Sequence, residues 1–292
     1  MFQARELVMT HGLMKARQVA KTKTERVCVD AAWTTMNDHE DESIIYTSRV
    51  VTSLPHKRGA EVNSWEQDTG DGIYRWDASD SEGGLPFGSK SRMILIHLLH
   101  EAVTNMNPCV GCGDTLYQWN AKIQNKSVGG MTYRIILDHA WRLLESRLSI
   151  AASTDANQKP CDAIATATSI GDNKVPTEIQ LQNTFYHHIM SHCVPVRHSA
   201  LQLIKNNSAA IDLYIRLSDG LPKLSEEKLA TWPEIKRRFG AGYKNIRQMK
   251  PAFLDTLSLV CAVYPEANVV TTDEGILLNP SPSSVQALMT HH

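Results

Sequence analysis

The chain has 292 residues, 30 of them Lys or Arg against 31 Asp or Glu, and 42% of it is hydrophobic. That composition excludes a disordered chain and leaves room for two domains of ordinary size. Six cysteines over this length do not make a disulfide scaffold, so a reducing compartment is expected. The first residues show no leader pattern and the most apolar run, Met93–Leu99, is far shorter than a bilayer span, so a cytoplasmic protein without a membrane partner is expected.

Residues 3–24 read as a helix carrying Leu7, Met9, Leu13, Met14 and Val19. The stretch Arg5–Arg26 is basic. It reads equally as an arm that touches nucleic acid or a partner and as a plain surface helix. Ile44–Leu54 is β-branched and strand-prone up to Pro55, and Ile73–Trp76 suits one strand of a small sheet. Ser91–Asn105 is apolar nearly all round, as in a buried helix. Pro108–Gly113 reads as a loop and Asp114 or Thr115 as the cap of a short helix to Ile123. A long helix then runs from Thr132 to Arg147, with Ile135, Ile136, His139, Leu143 and Leu144 inward. Leu148–Ala152 reads as a strand with Glu178–Leu181 as its return partner, leaving residues 153–177 as a long flexible wing tip. Helices follow at Asn183–His192, His198–Asn206 and Ser208–Asp219.

The most informative stretch is Trp232–Asn279. Trp232–Phe239 suits a short helix, with Pro233 in its first turn and Glu234 at its positive end, stopped by Gly240 and Gly242. From Lys244 to Tyr264, Ile246, Met249, Phe253, Leu257 and Val260 form one apolar stripe. Asn268–Thr272 and Gly275–Asn279 close the unit as a hairpin. Helix, turn, helix and hairpin is the layout of a winged helix-turn-helix. The element order before residue 182 repeats it without sequence identity. The expected fold is α+β, mainly helical, with two tandem winged helix-turn-helix domains at 44–182 and 183–292 behind a basic N-terminal arm, 1–43.

Between Trp232 and Pro251 stand Lys236, Arg237, Arg238, Lys244, Arg247 and Lys250 against the single acid Glu234. Such a run also suits a solvated helix face. In a helix-turn-helix, Lys244, Asn245, Arg247 and Gln248 would reach base edges, Arg to guanine and Asn or Gln to adenine. Arg237, Arg238 and Lys250 suit phosphates. In the first domain, Tyr133 and Arg134 open the corresponding helix and Lys122 and Lys126 flank it. Packing is the plain account of Tyr133, and a surface ion pair that of Arg134.

Other chemistry is poorly supported. Cys109 and Cys112 form a single C-x-x-C, short of the four ligands a structural zinc needs. His188 and His192 have the spacing of H-E-x-x-H, but Ile189 stands where that motif has Glu. A phosphate-binding loop and a His-x-His metal motif are both missing from the sequence. A binding protein without catalytic residues, metal or cofactor is expected.

Several pieces occur in the order of a known family. They are Leu54–Pro55–His56, Gly84–Ser89 with Arg92, Glu101–Val103, Gly113–Leu116, Gly129–Gly130, Arg142–Leu143 and Pro195–Val196. Ile211–Tyr214, Trp232, Phe239–Gly240, Tyr243, Tyr264–Pro265, Gly275–Ile276 and Pro280–Ser281 complete the set. Over roughly residues 50–285 the chain resembles the plasmid-encoded RepA replication initiators. The resemblance implies binding to double-stranded origin repeats (iterons), recruitment of host replication proteins, and self-repression as a homodimer on an operator. It also implies a bacterial cytoplasm, with the protein on its plasmid or the nucleoid. A transcriptional repressor on the same fold, or a protein-interaction subunit of a nucleic-acid complex, remains open at this point.

Overall fold

A computed structural model describes residues 1–37, 43–59, 63–78, 84–113, 118–119, 130–152, 164–170 and 175–286. In chain order these hold α1 (Ala4–Val19), α2 (Lys23–Asn37), β1 (Ile44–Thr47), β2 (Ser64–Asp68), β3 (Gly72–Asp77), α3 (Gly88–Thr104), β4 (Cys109–Gly111) and α4 (Gly130–Glu145). Then come β5 (Arg147–Ala152), β6 (Ala165–Ile170), β7 (Val175–Leu181), α5 (Asn183–Ser191), β8 (Val194–Arg197), α6 (His198–Ile204) and α7 (Ser208–Gly220). β9 (Lys228–Thr231), α8 (Trp232–Phe239), α9 (Ile246–Val263), β10 (Val269–Thr271) and β11 (Gly275–Leu278) complete the described α+β fold.

The chain forms two compact units, one spanning 46–194 and the other joining residues 1–45 to the chain from Pro195 onward. The middle unit is built on α3, which is buried from Ser91 to Leu99. Its Arg92 is fully buried and donates to three backbone carbonyls: Leu54 (2.6 Å), Pro55 (3.1 Å) and Gly88 (2.9 Å). A second tie links α3 to α4, where Ser91 Oγ and His139 Nδ1 lie 2.9 Å apart and Phe87 packs on the same imidazole. Burial lowers the pKa of His139, and nearby Arg142 and Lys90 lower it further against the pull of Asp138.

Two three-stranded sheets flank these helices, in the orders β2-β3-β5 and β4-β7-β6. The expected pairing of Leu148–Ala152 with Glu178–Leu181 is therefore wrong. β5 pairs antiparallel with β3, Ile73 opposite Ala151, while β7 lies between β4 and β6. Residues 165–170, placed in a flexible wing tip from their composition, form β6. Pro108–Gly113 contains β4. The β-branched run 44–54 stays extended only to Thr47. Beyond it, Ser48 caps a 3-10 turn over Arg49–Ser53. The expected helix at 115–123 lies outside the described residues except for helical Gln118–Trp119.

In the other unit α9 is the spine, with Met249, Phe253, Leu257, Val260 and Val263 buried along it. α7 contributes Ile211, Leu213 and Tyr214, whose ring meets Tyr264 edge-on at 5.9 Å. α2 packs along α9, and the Phe2 amide donates to Ser258 Oγ at 3.1 Å. Residues 1–43, read as an arm, thus supply two helices to this unit. Gly12, at φ 71° and ψ 169°, breaks α1 into two pieces, a backbone conformation that favours glycine. The sheet order is β10-β11-β9, with Val269 opposite Leu278 and Gly275 opposite Thr231.

Candidate nucleic-acid interface

α8 begins where the chain leaves β9. Thr231 caps it: the Glu234 carboxylate accepts from the Thr231 amide (2.9 Å) and hydroxyl (3.0 Å), which holds Glu234 below the usual carboxylate range. The one acid of the basic run is thereby occupied locally. Pro233 sits in the first turn, where a missing amide proton costs nothing. Trp232 is 5% exposed and binds the hairpin loop twice, its amide to Glu274 O (3.0 Å) and its indole Nε1–H to Asp273 O (2.9 Å). Its ring and that of Phe239 both pack edge-on against Phe253 of α9. The helix ends at Gly240, where a Cβ would stand 2.5 Å from Lys236 O and a side chain does not fit. Two basic faces result on α8: Arg237 is exposed and Arg238 half-buried.

α9 starts at Ile246, the first residue of its stripe and two residues after the expected start at Lys244. Lys244 lies before the helix, and Asn245 is its cap, with Oδ1 accepting from the Gln248 amide at 3.0 Å. That bond satisfies an amide which would otherwise be orphaned. Asn245 therefore carries a structural duty beside the base contact its position suggested. Lys244, Arg247 and Gln248 are exposed around this first turn, while Met249 is buried beneath it. Lys250 is half-buried, with its ammonium 4.5 Å from the centre of the Trp232 ring. Pro251 follows inside the helix. Among the described residues Lys244, Arg247 and Gln248 have no side-chain hydrogen bond or ion pair. In the middle unit Tyr133 is half-buried and Arg134 exposed on the first turn of α4. Lys126 and Lys122 lie outside the described residues.

Sequence reading placed the hairpin turn at Asp273–Glu274–Gly275, which is exposed at its two acids, and missed two features: the Lys250–Trp232 contact and Pro251 inside α9. The proline is legible in the sequence. The ring contact is not.

The metal candidates are placed as follows. Cys109 lies opposite Gln180 in the ladder, and the Cys112 amide continues it to Thr177 O (2.8 Å). Three residues apart on extended chain, the two thiols point to opposite faces. Cys112 is buried and Cys109 half-exposed. His188 stacks on His192 with ring centres 4.4 Å apart, and its Nε2 faces the Tyr74 hydroxyl at 3.4 Å. Burial lowers the His188 pKa, and His192 adds to the effect. Among the described residues no group of three or more His, Cys, Asp or Glu side chains is placed to hold a metal ion, and no helix is long and apolar enough to cross a membrane.

Taken together, the closing stretch is a short basic helix, a glycine turn and a capped second helix, laid against a three-stranded sheet whose hairpin loop is bonded to the first helix. Residues 134–233 match the family described as plasmid encoded RepA protein. That match lies within the stretch, roughly residues 50–285, over which the ordered motifs resemble the same family. The match begins at Arg134 and ends at Pro233, so the basic residues from Lys236 to Lys250 lie beyond it. Two solved structures of domains 2 and 3 of RctB are similar to the chain. The selenomethionine form has a TM-score of 0.48 at 11% identity, covering 77% of this chain and 87% of its own. The second has 0.47 at 11%, covering 82% and 98%. Among curated proteins there is no match.

Proposed function

We propose that the chain is a plasmid replication initiator, and not an enzyme, that reads repeated duplex DNA at its origin through α8 and the first turn of α9. β9–β11 with α7–α9 then forms a winged helix-turn-helix. The observation that carries this reading is the exposed trio Lys244, Arg247 and Gln248 on a turn held by an asparagine cap and a buried methionine. Such a turn offers a bidentate donor and a donor–acceptor amide from a rigid base, as major-groove readout requires. Arg237 and Arg238 supply phosphate contacts from α8. Arg134 and Tyr133 offer a second contact from α4, with Lys126 beside them in sequence. The family match in residues 134–233 supports replication as the setting.

The residues that carry the family resemblance lie mainly in the core: Arg92, Asp212, Tyr214, Tyr264 and Ile276 are all buried. The exposed residues of the α9 turn, Arg247 and Gln248, are not among them. A shared scaffold with a private DNA site follows from that division. The test is maintenance of a reporter plasmid whose sole origin is the repeat region of the replicon encoding this chain, with the protein supplied in trans. Stable maintenance that is lost with Arg247→Ala supports the initiator. Tight binding to the repeats without maintenance indicates the repressor instead.

A further inference from the structure

Lys250 sits among the basic residues of the candidate interface, yet its environment differs from theirs. Its ammonium lies 4.5 Å from the centre of the Trp232 ring, within the range of a cation–π contact. Trp232 is itself held by two hydrogen bonds to the carbonyls of Asp273 and Glu274, and its ring packs on Phe253. The side chains on that loop are acidic and exposed, which suits it poorly to a phosphate backbone. One residue after Lys250 comes Pro251, which has no amide proton to give the carbonyl of Arg247 four residues back. The helix ladder is therefore interrupted beneath the turn that presents Arg247 and Gln248. What holds this turn from the N-terminal side is the Asn245 cap, with the Gln248 amide on Oδ1 (3.0 Å) and the Met249 amide on the Asn245 carbonyl (3.3 Å). From the other side it is Lys250 on Trp232.

We infer that Lys250 is a positioning residue. Through Trp232 it locks the first turn of α9 to the hairpin loop, so that Arg247 and Gln248 meet their bases in one geometry. The hairpin then works as a clamp on the reading turn, not as a phosphate contact. This inference rests on the DNA-reading assignment proposed above.

The test uses the full chain with Lys250→Met, which keeps the stem and removes the charge, and Lys250→Arg, whose guanidinium also stacks on indole. In the absence of DNA, amide exchange at Gln248 and Met249 is expected to accelerate about 2- to 30-fold in Lys250→Met, following the strength of a cation–π contact, and to return toward wild type in Lys250→Arg. With a repeat duplex and a shuffled duplex, the preference for the repeat should fall over the same range while the slope of log affinity against log salt stays that of wild type. A phosphate contact behaves in the opposite way: the slope drops by about one and the preference is kept. That pattern, or unchanged amide exchange in Lys250→Met, overturns the inference. Absence of DNA affinity in wild type would overturn the DNA-reading assignment instead, and the exchange measurement would still decide the positioning role.

Discussion

Replacing Arg92 by methionine tests the account of the middle unit. The guanidinium is buried and donates to the carbonyls of Leu54, Pro55 and Gly88 at 2.6, 3.1 and 2.9 Å. Hydrogen bonds to a charged group are worth roughly 1.5–3 kcal/mol each, so three give a gross loss of about 4.5–9 kcal/mol. Methionine fills most of the stem volume and spares the cost of burying a charge, which offsets several kcal/mol of that sum. The Pro55 carbonyl keeps the Gly88 amide (2.9 Å) while the Leu54 carbonyl loses its Arg92 donor, so a net destabilisation of about 3–5 kcal/mol is expected, in line with removing one side of a buried charged network. Chemical denaturation followed by circular dichroism should show an early transition for the middle unit, while the other unit melts as in wild type. Arg92→Lys should recover only part of the loss, because one ammonium cannot reproduce the planar fork. A change below about 1 kcal/mol for Arg92→Met would refute the reasoning, since solvent would then be satisfying those carbonyls.

Arg247→Ala should leave stability within about 0.5 kcal/mol, the side chain being exposed on the helix surface. The same change should weaken binding to the cognate repeat by roughly 1–3 kcal/mol, about 5- to 150-fold, in a fluorescence-anisotropy titration. His139 and His188 have pKa values lowered by burial, so the folded chain takes up fewer protons at these sites than the unfolded one. Stability is full above the ordinary histidine value of about 6.5 and falls as pH drops through the lowered folded values. Denaturation midpoints at pH 7.5 and 5.5 should show this loss, and His139→Gln should reduce it. Cys112→Ser should destabilise the middle unit by burying a hydroxyl, whereas Cys109→Ser should be nearly neutral. Midpoints of the two variants, taken with and without EDTA, check this and the separation of the thiols.

The stretch from Trp232 to Leu278 was legible because its signals are local. A proline in the first turn, an acid at the helix's positive end, glycines at the turn and an apolar stripe all act within one or two helical turns. Even there the start of α9 came out late, because Asn245 serves as a cap and not as a helical residue. The pairing of β5 with β3 was not legible. A strand between residues 147 and 152 finds its neighbour some 75 residues earlier in the chain, and alternation alone does not name the partner. The same holds for α2, whose docking on α9 depends on a face more than 200 residues away in sequence. The basic side chains of the candidate interface were found by charge and helical spacing. Their separate duties were not, because the cap, the ring contact and the loop bonds appear only once the chain is folded.

Binding of the chain to a labelled duplex carrying one origin repeat, against a shuffled duplex of the same composition at 50 and 200 mM salt, tests the central claim most directly. The account predicts a preference for the repeat. It also predicts that affinity falls with salt at a slope no shallower than about −1.8, roughly 12-fold across that range, from the phosphate contacts of Arg237 and Arg238 alone. Equal and negligible binding to both duplexes at both salts would contradict it, and would assign the basic face of α8 and α9 to a protein partner.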